Sequence, residues 1–111
     1  MIRLCNMYKD HYGLKDTETQ KYLCECGVWS RIDRIEIWSV KTFEEFQRKG
    51  YATIMLQRVI KKYRSCEKPL LLYVYKDNHI AIHLYEKLGF EIIGEYDGAV
   101  DAWTMQYKPE R

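Results

Sequence analysis

The chain has 111 residues, 47% hydrophobic and 31% charged, which suits one soluble globular domain with a buried core and excludes two. Lys plus Arg number 18 against 16 Asp plus Glu, and a formal charge of +2 gives no general electrostatic reason to expect nucleic acid or an anionic membrane as partner. No apolar run approaches the length of a membrane span, and the polar start around Arg3 and Lys9 lacks a signal peptide's apolar core, so cytoplasmic residence is expected.

The first third reads as β structure. Residues 2–8 are β-prone, residues 11–20 with Gly13 and Asp16 read as a connection, and residues 21–29 resume an apolar/polar pattern. After a turn at residues 30–34, residues 35–42 give a third run, and the three form an antiparallel meander. Gly27 marks either a bulge or a close backbone approach. Of the four cysteines, Cys24 and Cys26 share one face of a strand. Their spacing with Cys5 and Cys66 lacks the paired C-x-x-C of a zinc site, and His11, His79 and His83 do not cluster with them. Reduced structural thiols and no metal are expected.

Residues 47–53 read Gln47-Arg48-Lys49-Gly50-Tyr51-Ala52-Thr53, between a strand-like run and an amphipathic helix. A glycine and a small residue at that joint let backbone N–H groups crowd around an anion where the helix exposes about half a positive charge. Arg48, Lys49, Lys61, Lys62 and Arg64 add local positive charge sufficient for a small polyanion. From Ala52 the period becomes 3.6, with Met55, Leu56, Val59, Ile60 and Tyr63 on one face. Pro69 opens a nearly continuous apolar run over residues 70–75, as expected of a strand covered on both faces, and strand, helix and strand make a βαβ crossover. A second helix starts at Asp77 or Asn78, carries Ile80, Ala81, Leu84, Tyr85 and Leu88 on one face and stops at Gly89. Two strands, 90–96 and 102–107, follow about a turn at Asp97-Gly98, and residues 109–111 read as a loose tail.

The loop fits Q/R-x-x-G-x-G/A, and the run Asn78-His79-Ile80-Ala81-Ile82-His83-Leu84-Tyr85-Glu86-Lys87-Leu88-Gly89-Phe90 resembles N-x-x-A-x-x-x-Y-x-x-x-G-F. Both, in this order and on this succession of elements, resemble the GNAT superfamily of N-acetyltransferases over residues 36–107. The resemblance implies a mixed, mostly antiparallel α/β (α+β) sheet with a βαβ acyl-CoA-binding core, one domain over residues 1–111, and acetyl-CoA as co-substrate. Val40, Lys41 and Thr42 match the strand positions that pair with the pantetheine arm. Gln47, Arg48, Lys49, Gly50, Tyr51, Ala52 and Thr53 match the pyrophosphate cradle, with Ala52 where glycine is more frequent. Asn78 matches the residue that bonds the pantetheine region and is equally suited to cap its helix. Tyr85 matches the acid that protonates the departing thiolate, with a core tyrosine as the alternative. Glu36 stands where some protein-lysine acetyltransferases keep a general base; it reads equally as an outward strand carboxylate or an ion-pair partner of Arg34. The other base location holds Tyr73, a poor base near neutral pH. Residues 41–46 lack the proline frequent there.

Family members usually open with a strand and two helices that wall the acceptor site, whereas residues 1–34 show no helical period. An acceptor side left open or completed by another chain is therefore expected, and an open side suits a protein lysine or N-terminus better than an enclosed metabolite. Trp29, Trp38 and Trp103 either line that surface or belong to the core. Exposed strand edges suit a homodimer. The reading from another class is a non-catalytic acyl-CoA-binding or protein-interaction module that kept the fold.

Overall fold

A computed structural model describes residues 1–108, so the tail expected at 109–111 lies outside the described residues. The elements run β1 (Ile2–Tyr8), β2 (His11–Asp16), β3 (Lys21–Ser30), β4 (Ile35–Thr42), α1 (Tyr51–Tyr63), β5 (Leu70–Tyr75), α2 (His79–Leu88), β6 (Phe90–Glu95) and β7 (Ala102–Tyr107), with short 3₁₀ turns at Glu44–Phe46 and Arg64–Cys66. One sheet takes the strands in the order β1-β2-β3-β4-β5-β7-β6. Every neighbouring pair is antiparallel except β4 and β5, which α1 joins as a parallel crossover. This is the mixed, mostly antiparallel α/β sheet that the resemblance implies.

Three expectations are corrected. Residues 11–16 form a strand where a connection was expected, so residues 1–30 hold three strands and not two. Lys9, at φ 40, closes the turn from β1 with Asp10, and Gly13 admits the Tyr22 ring, which a Cβ at that position would strike. Only Gly13 and Leu14 of β2 are buried, which is why the segment looks polar. Strand β5 is covered on one face: Leu70, Leu72 and Val74 are buried, whereas Leu71 and Tyr73 are half-exposed and Tyr75 is exposed. Ile80 does not join the apolar face of α2, being 87% exposed, and Ile82 packs against the core in its place.

The core lies between the sheet and the helices. Met55, Leu56, Val59 and Ile60 of α1 meet Cys24, Cys26 and Val28 of β3, Ile35 and Ile37 of β4 and Leu72 of β5, with Tyr85, Phe90 and Met105 completing the cluster. Each such aliphatic side chain removed from water contributes about 1.5–3 kcal/mol. Helix α1 contacts β1 to β4, α2 contacts β6, and the helices touch each other. Because side chains alternate along a strand, burying Ile35 and Ile37 turns Glu36 and Trp38 to the opposite face. At Gly27, opposite Trp38, both readings hold: the Trp38 ring occupies the space a Cβ would take, and the β3–β4 register shifts beside it. The four cysteines are free. Burial pushes the Cys24 thiol to about 11 and the Cys26 thiol to about 12, which suits inert core side chains.

Candidate active site

Helix α1 begins on a left-handed Gly50, φ 80, preceded by a left-handed Arg48, φ 66. No side chain caps this end and no acidic residue occupies its first turn, so the leading N–H groups of Tyr51, Ala52 and Thr53 are left for an external acceptor. A Cβ at Gly50 would meet nothing within 4 Å, so the approach to these amides is open. Gln47 ties the loop to the sheet by donating from Nε2 to the Thr42 carbonyl at 3.1 Å. Helix α2 is capped conventionally: the Asn78 side-chain oxygen accepts the Ala81 N–H at 3.2 Å, and Gly89, φ 111, ends the helix.

Between these helix starts the sheet comes apart. Strands β4 and β5 pair only over Ile35↔Leu70, Glu36↔Leu71 and Ile37↔Leu72, although β4 continues to Thr42 and β5 to Tyr75. Ser39, left-handed at φ 56, coincides with an irregularity in the β3–β4 register, where Gly27 faces Trp38 but Glu25 faces Lys41. That bulge turns β4 away from β5. The gap is an inner cleft of about 460 Å³ lined by Trp38, Ser39, Val40, Tyr73, Asn78 and Tyr85, among others. Beyond it lies an outer cleft of about 790 Å³, with Trp29, Arg31, Arg34, Glu36, Glu95 and Asp97 on its walls. Trp38, Tyr73 and Tyr96 line both. Each volume is in the range of small-ligand sites.

The outer cleft has a specific charge arrangement. Glu36, only 6% exposed, accepts from Arg31 Nε at 3.0 Å through Oε1 and from Arg34 Nε at 3.1 Å through Oε2. The Tyr73 hydroxyl donates a hydrogen bond to Oε2 as well. Burial pushes the Glu36 carboxyl up, but the hydrogen bonds from Tyr73, Arg31 and Arg34 outweigh it and hold the group below its usual range. Burial, then the hydrogen bond to Glu36 and its charge, push the Tyr73 phenol up to about 12. Arg31 lies 4.5 Å over the Trp29 ring, and the centroids of Trp29 and Trp38 are 4.8 Å apart. Tyr85 is 6% exposed, and burial followed by the neighbouring Cys26 push its phenol up to about 12.

The structure thus brings Val40, Asn78 and Tyr85 around the inner cleft, sets Glu36 in the outer one and places residues 47–53 at the start of α1. Lys41 and Thr42 extend β4 beyond both linings, paired with β3 on their other side. Trp29 and Trp38 line the outer cleft, but Trp103 does not: it lies beneath Lys76, whose ammonium is 4.3 Å from its ring and bridges Glu95 and Asp101. Tyr96 and Arg31 were not apparent from sequence motifs, and Tyr73 was noted at the other base location but not as a wall of both clefts. The signal was the alternation Leu71-Tyr73-Tyr75, which puts aromatic hydroxyls on the face away from the core.

A family profile described as FR47-like protein matches residues 11–97. An N-alpha-acetyltransferase of Saccharolobus solfataricus is 33% identical over an alignment of 82 residues that covers 68% of this chain and 49% of the relative, so the match spans about half that protein's length. The crystal structure of a ribosomal-protein alanine N-acetyltransferase from Escherichia coli superposes with a TM-score of 0.75 at 23% identity, covering 91% of this chain and 69% of that one. A GNAT family acetyltransferase from Elizabethkingia anophelis with acetyl-CoA bound gives 0.75 at 18% identity, covering 88% and 74%. At these identities the two structures establish a common fold. With the profile spanning most of the sequence and the sheet laid out as the motifs required, the chain belongs to the FR47-like family, a relative of the GNAT acetyltransferases.

Proposed function

We propose that this chain is an acetyl-CoA-dependent N-acetyltransferase that acts on an amine of a protein, a lysine side chain or an N-terminus. One observation carries the reading: the inner cleft, bounded by Val40, Asn78 and Tyr85, opens through Trp38, Tyr73 and Tyr96 into an outer cleft large enough for an acceptor. On this reading the amides of Tyr51, Ala52 and Thr53 hold the pyrophosphate, β4 from Val40 to Thr42 pairs with the pantetheine arm, and the thioester lies beside Tyr85. A phenol pushed up to about 12 keeps its proton at neutral pH and has one to give the departing sulfur. The direct hairpin from β1 to β2, with only Lys9 and Asp10 between them, puts no helix there to cover the outer cleft, which supports a macromolecular acceptor. The ribosomal-protein alanine N-acetyltransferase of Escherichia supports a protein acceptor, and the Saccharolobus N-alpha-acetyltransferase supports transfer to an amine.

Calorimetric titration with acetyl-CoA tests the cofactor half. One-to-one binding at micromolar affinity, about −8 kcal/mol, supports the reading. A mass shift of one acetyl group on peptide lysines or N-termini, with none on polyamines or aminoglycosides, supports the acceptor half, and the reverse pattern overturns it. Tight acetyl-CoA binding with no transfer to any amine would favour the non-catalytic module, which the firm ion pairing of Glu36 also accommodates. Among the described residues, strands β1 and β6 form the two edges of the sheet, and the proposed homodimer would use one of them. Light scattering at rising concentration reads that directly.

A further inference from the structure

The two guanidiniums that hold Glu36 are not spent alike. Arg34 gives Nε to Glu36 and Nη1 to Asp33. Arg31 gives only Nε, to Glu36 Oε1 at 3.0 Å, and among the described residues neither its Nη1 nor its Nη2 has a partner. Those two nitrogens end a side chain that is 46% exposed and lines the outer cleft.

The rest of Arg31 is fixed. Its backbone N–H donates to the Arg34 carbonyl at 2.8 Å, which closes the turn between β3 and β4, and its carbonyl accepts from Lys68 Nζ at 2.7 Å. Its guanidinium lies 4.5 Å over the Trp29 ring, Trp29 is 4.8 Å from Trp38, and Trp38 is held between His11, 4.9 Å away, and the bare backbone of Gly27. A guanidinium tied at Nε and over an aromatic ring has already lost much of the freedom that binding costs, and its two remaining nitrogens make the parallel fork that matches a carboxylate. The opposite wall has the other sign. Asp97 has no ionic partner among the described residues, and Glu95 shares Lys76 with Asp101. Asp10 lines a separate recess with Trp29, Ser30 and Arg31 and makes no ion pair with Arg31.

We propose that Arg31 is a specificity residue, and that the acceptor is a peptide in which Asp or Glu stands beside the residue whose amine is acetylated. The inference rests on the acetyltransferase reading for the reaction, but not for the binding. An outer cleft of about 790 Å³ is about 9 Å across if equidimensional, and an extended chain advances about 3.3–3.6 Å per residue, so two to three residues fit. The carboxylate therefore belongs to an immediate neighbour of the reacting residue. Asp97 draws the ammonium, which passes Trp38, Tyr73 and Tyr96 toward the inner cleft, while Nη1 and Nη2 of Arg31 grip the carboxylate. Glu36 is then a positioning residue. Buried and ionised, it aims the Arg31 fork into the cleft instead of meeting the substrate itself.

The test offers two peptides that differ only in Asp or Asn after the reacting residue to wild type, Arg31→Gln and Arg31→Lys. Wild type is expected to favour the Asp peptide by about tenfold in kcat/KM, mostly through KM, as suits a charge-assisted pair on a partly exposed arginine. The preference should shrink at about 1 M salt, where the Debye length is about 3 Å. In Arg31→Gln the ratio should fall to near one, and Arg31→Lys should keep part of it, having the charge without the fork. Glu36→Gln should raise KM for the Asp peptide more than for the Asn peptide; an equal loss on both overturns its positioning role. A second readout needs no turnover: by calorimetry, wild type should hold the N-acetylated Asp peptide about tenfold more tightly than its Asn counterpart. Equal kcat/KM for the two peptides in wild type, or faster transfer to free glycine than to either, overturns the Arg31 assignment and leaves the transferase reading intact. No transfer to any amine, with the carboxylate-dependent binding still present, overturns the transferase reading and leaves the Arg31 site standing.

Discussion

Tyr85 and Glu36 illustrate how one residue's neighbours decide its chemistry. Tyr85 is surrounded by apolar side chains and the Cys26 thiol, which hold its proton. Tyr85→Phe is expected to lower the rate of acetyl transfer by one to several powers of ten while the acetyl-CoA dissociation constant stays put; a parallel loss of binding, read by calorimetry, would make the residue structural. Glu36 is the opposite case, an anion fixed by two guanidiniums and a phenol. Glu36→Gln leaves Arg31 and Arg34 without their shared counter-charge, and since both arginines are partly exposed, solvent limits the cost to about 1–3 kcal/mol by urea denaturation. Because the folded chain holds Glu36 below the ordinary glutamate value, its contribution is complete above about 4.3 and fades as pH falls through the depressed value. The acid limb of the stability curve should therefore flatten in the variant. The Asn78 to Phe90 signature identified Tyr85, but three hydrogen bonds from other segments determine the state of Glu36, and Arg31 and Tyr73 are 5 and 37 residues from it.

At the scale of elements, helix boundaries were well marked in the sequence and strand coverage was not. Helix α1 starts on Gly50 and α2 between Asn78 and Gly89, because these positions need a left-handed backbone or a capping oxygen. The run in β5 is as apolar as a doubly covered strand, yet its tyrosines face the clefts, since a tyrosine suits a half-wet wall as well as a core. Strand β2 was hidden because only two adjacent residues of it are buried. Two substitutions separate capping from ligand binding. Asn78→Ala removes the bond to the Ala81 N–H and should cost about 1 kcal/mol in thermal or chemical unfolding. Gly50→Ala meets no obstructing atom but must keep φ 80, so a loss of about 1–2 kcal/mol of stability is expected. Its larger effect should fall on adenosine bisphosphate binding, about tenfold by calorimetry, because a methyl group then stands on the approach to the helix amides.

Across the whole molecule, the chain is two half-sheets. One holds β1 to β4 under α1 and the other β5 to β7 beside α2, joined by three residue pairs of β4 and β5, the Tyr73–Glu36 hydrogen bond, the packing of α1 against Leu72 and the contact between the helices. The resemblance implied the mixed, mostly antiparallel sheet, while strand β2, the bulge at Ser39 and the abrupt end of the parallel pairing could be seen only with the strands side by side. That short seam makes the chain mechanically dependent on what fills it. Without a ligand, the amides of Val40 to Thr42 that face the gap have no strand opposite them and should exchange with deuterium rapidly, with the halves able to breathe about the seam. A pantetheine arm laid along β4 would act as an eighth strand and clamp the halves together. Saturating acetyl-CoA at about 100 times its dissociation constant should add about 2.7 kcal/mol to the unfolding free energy and slow exchange in β4 and β5 together. The supply of acetyl-CoA would then govern how long the folded chain lasts as well as how fast it works.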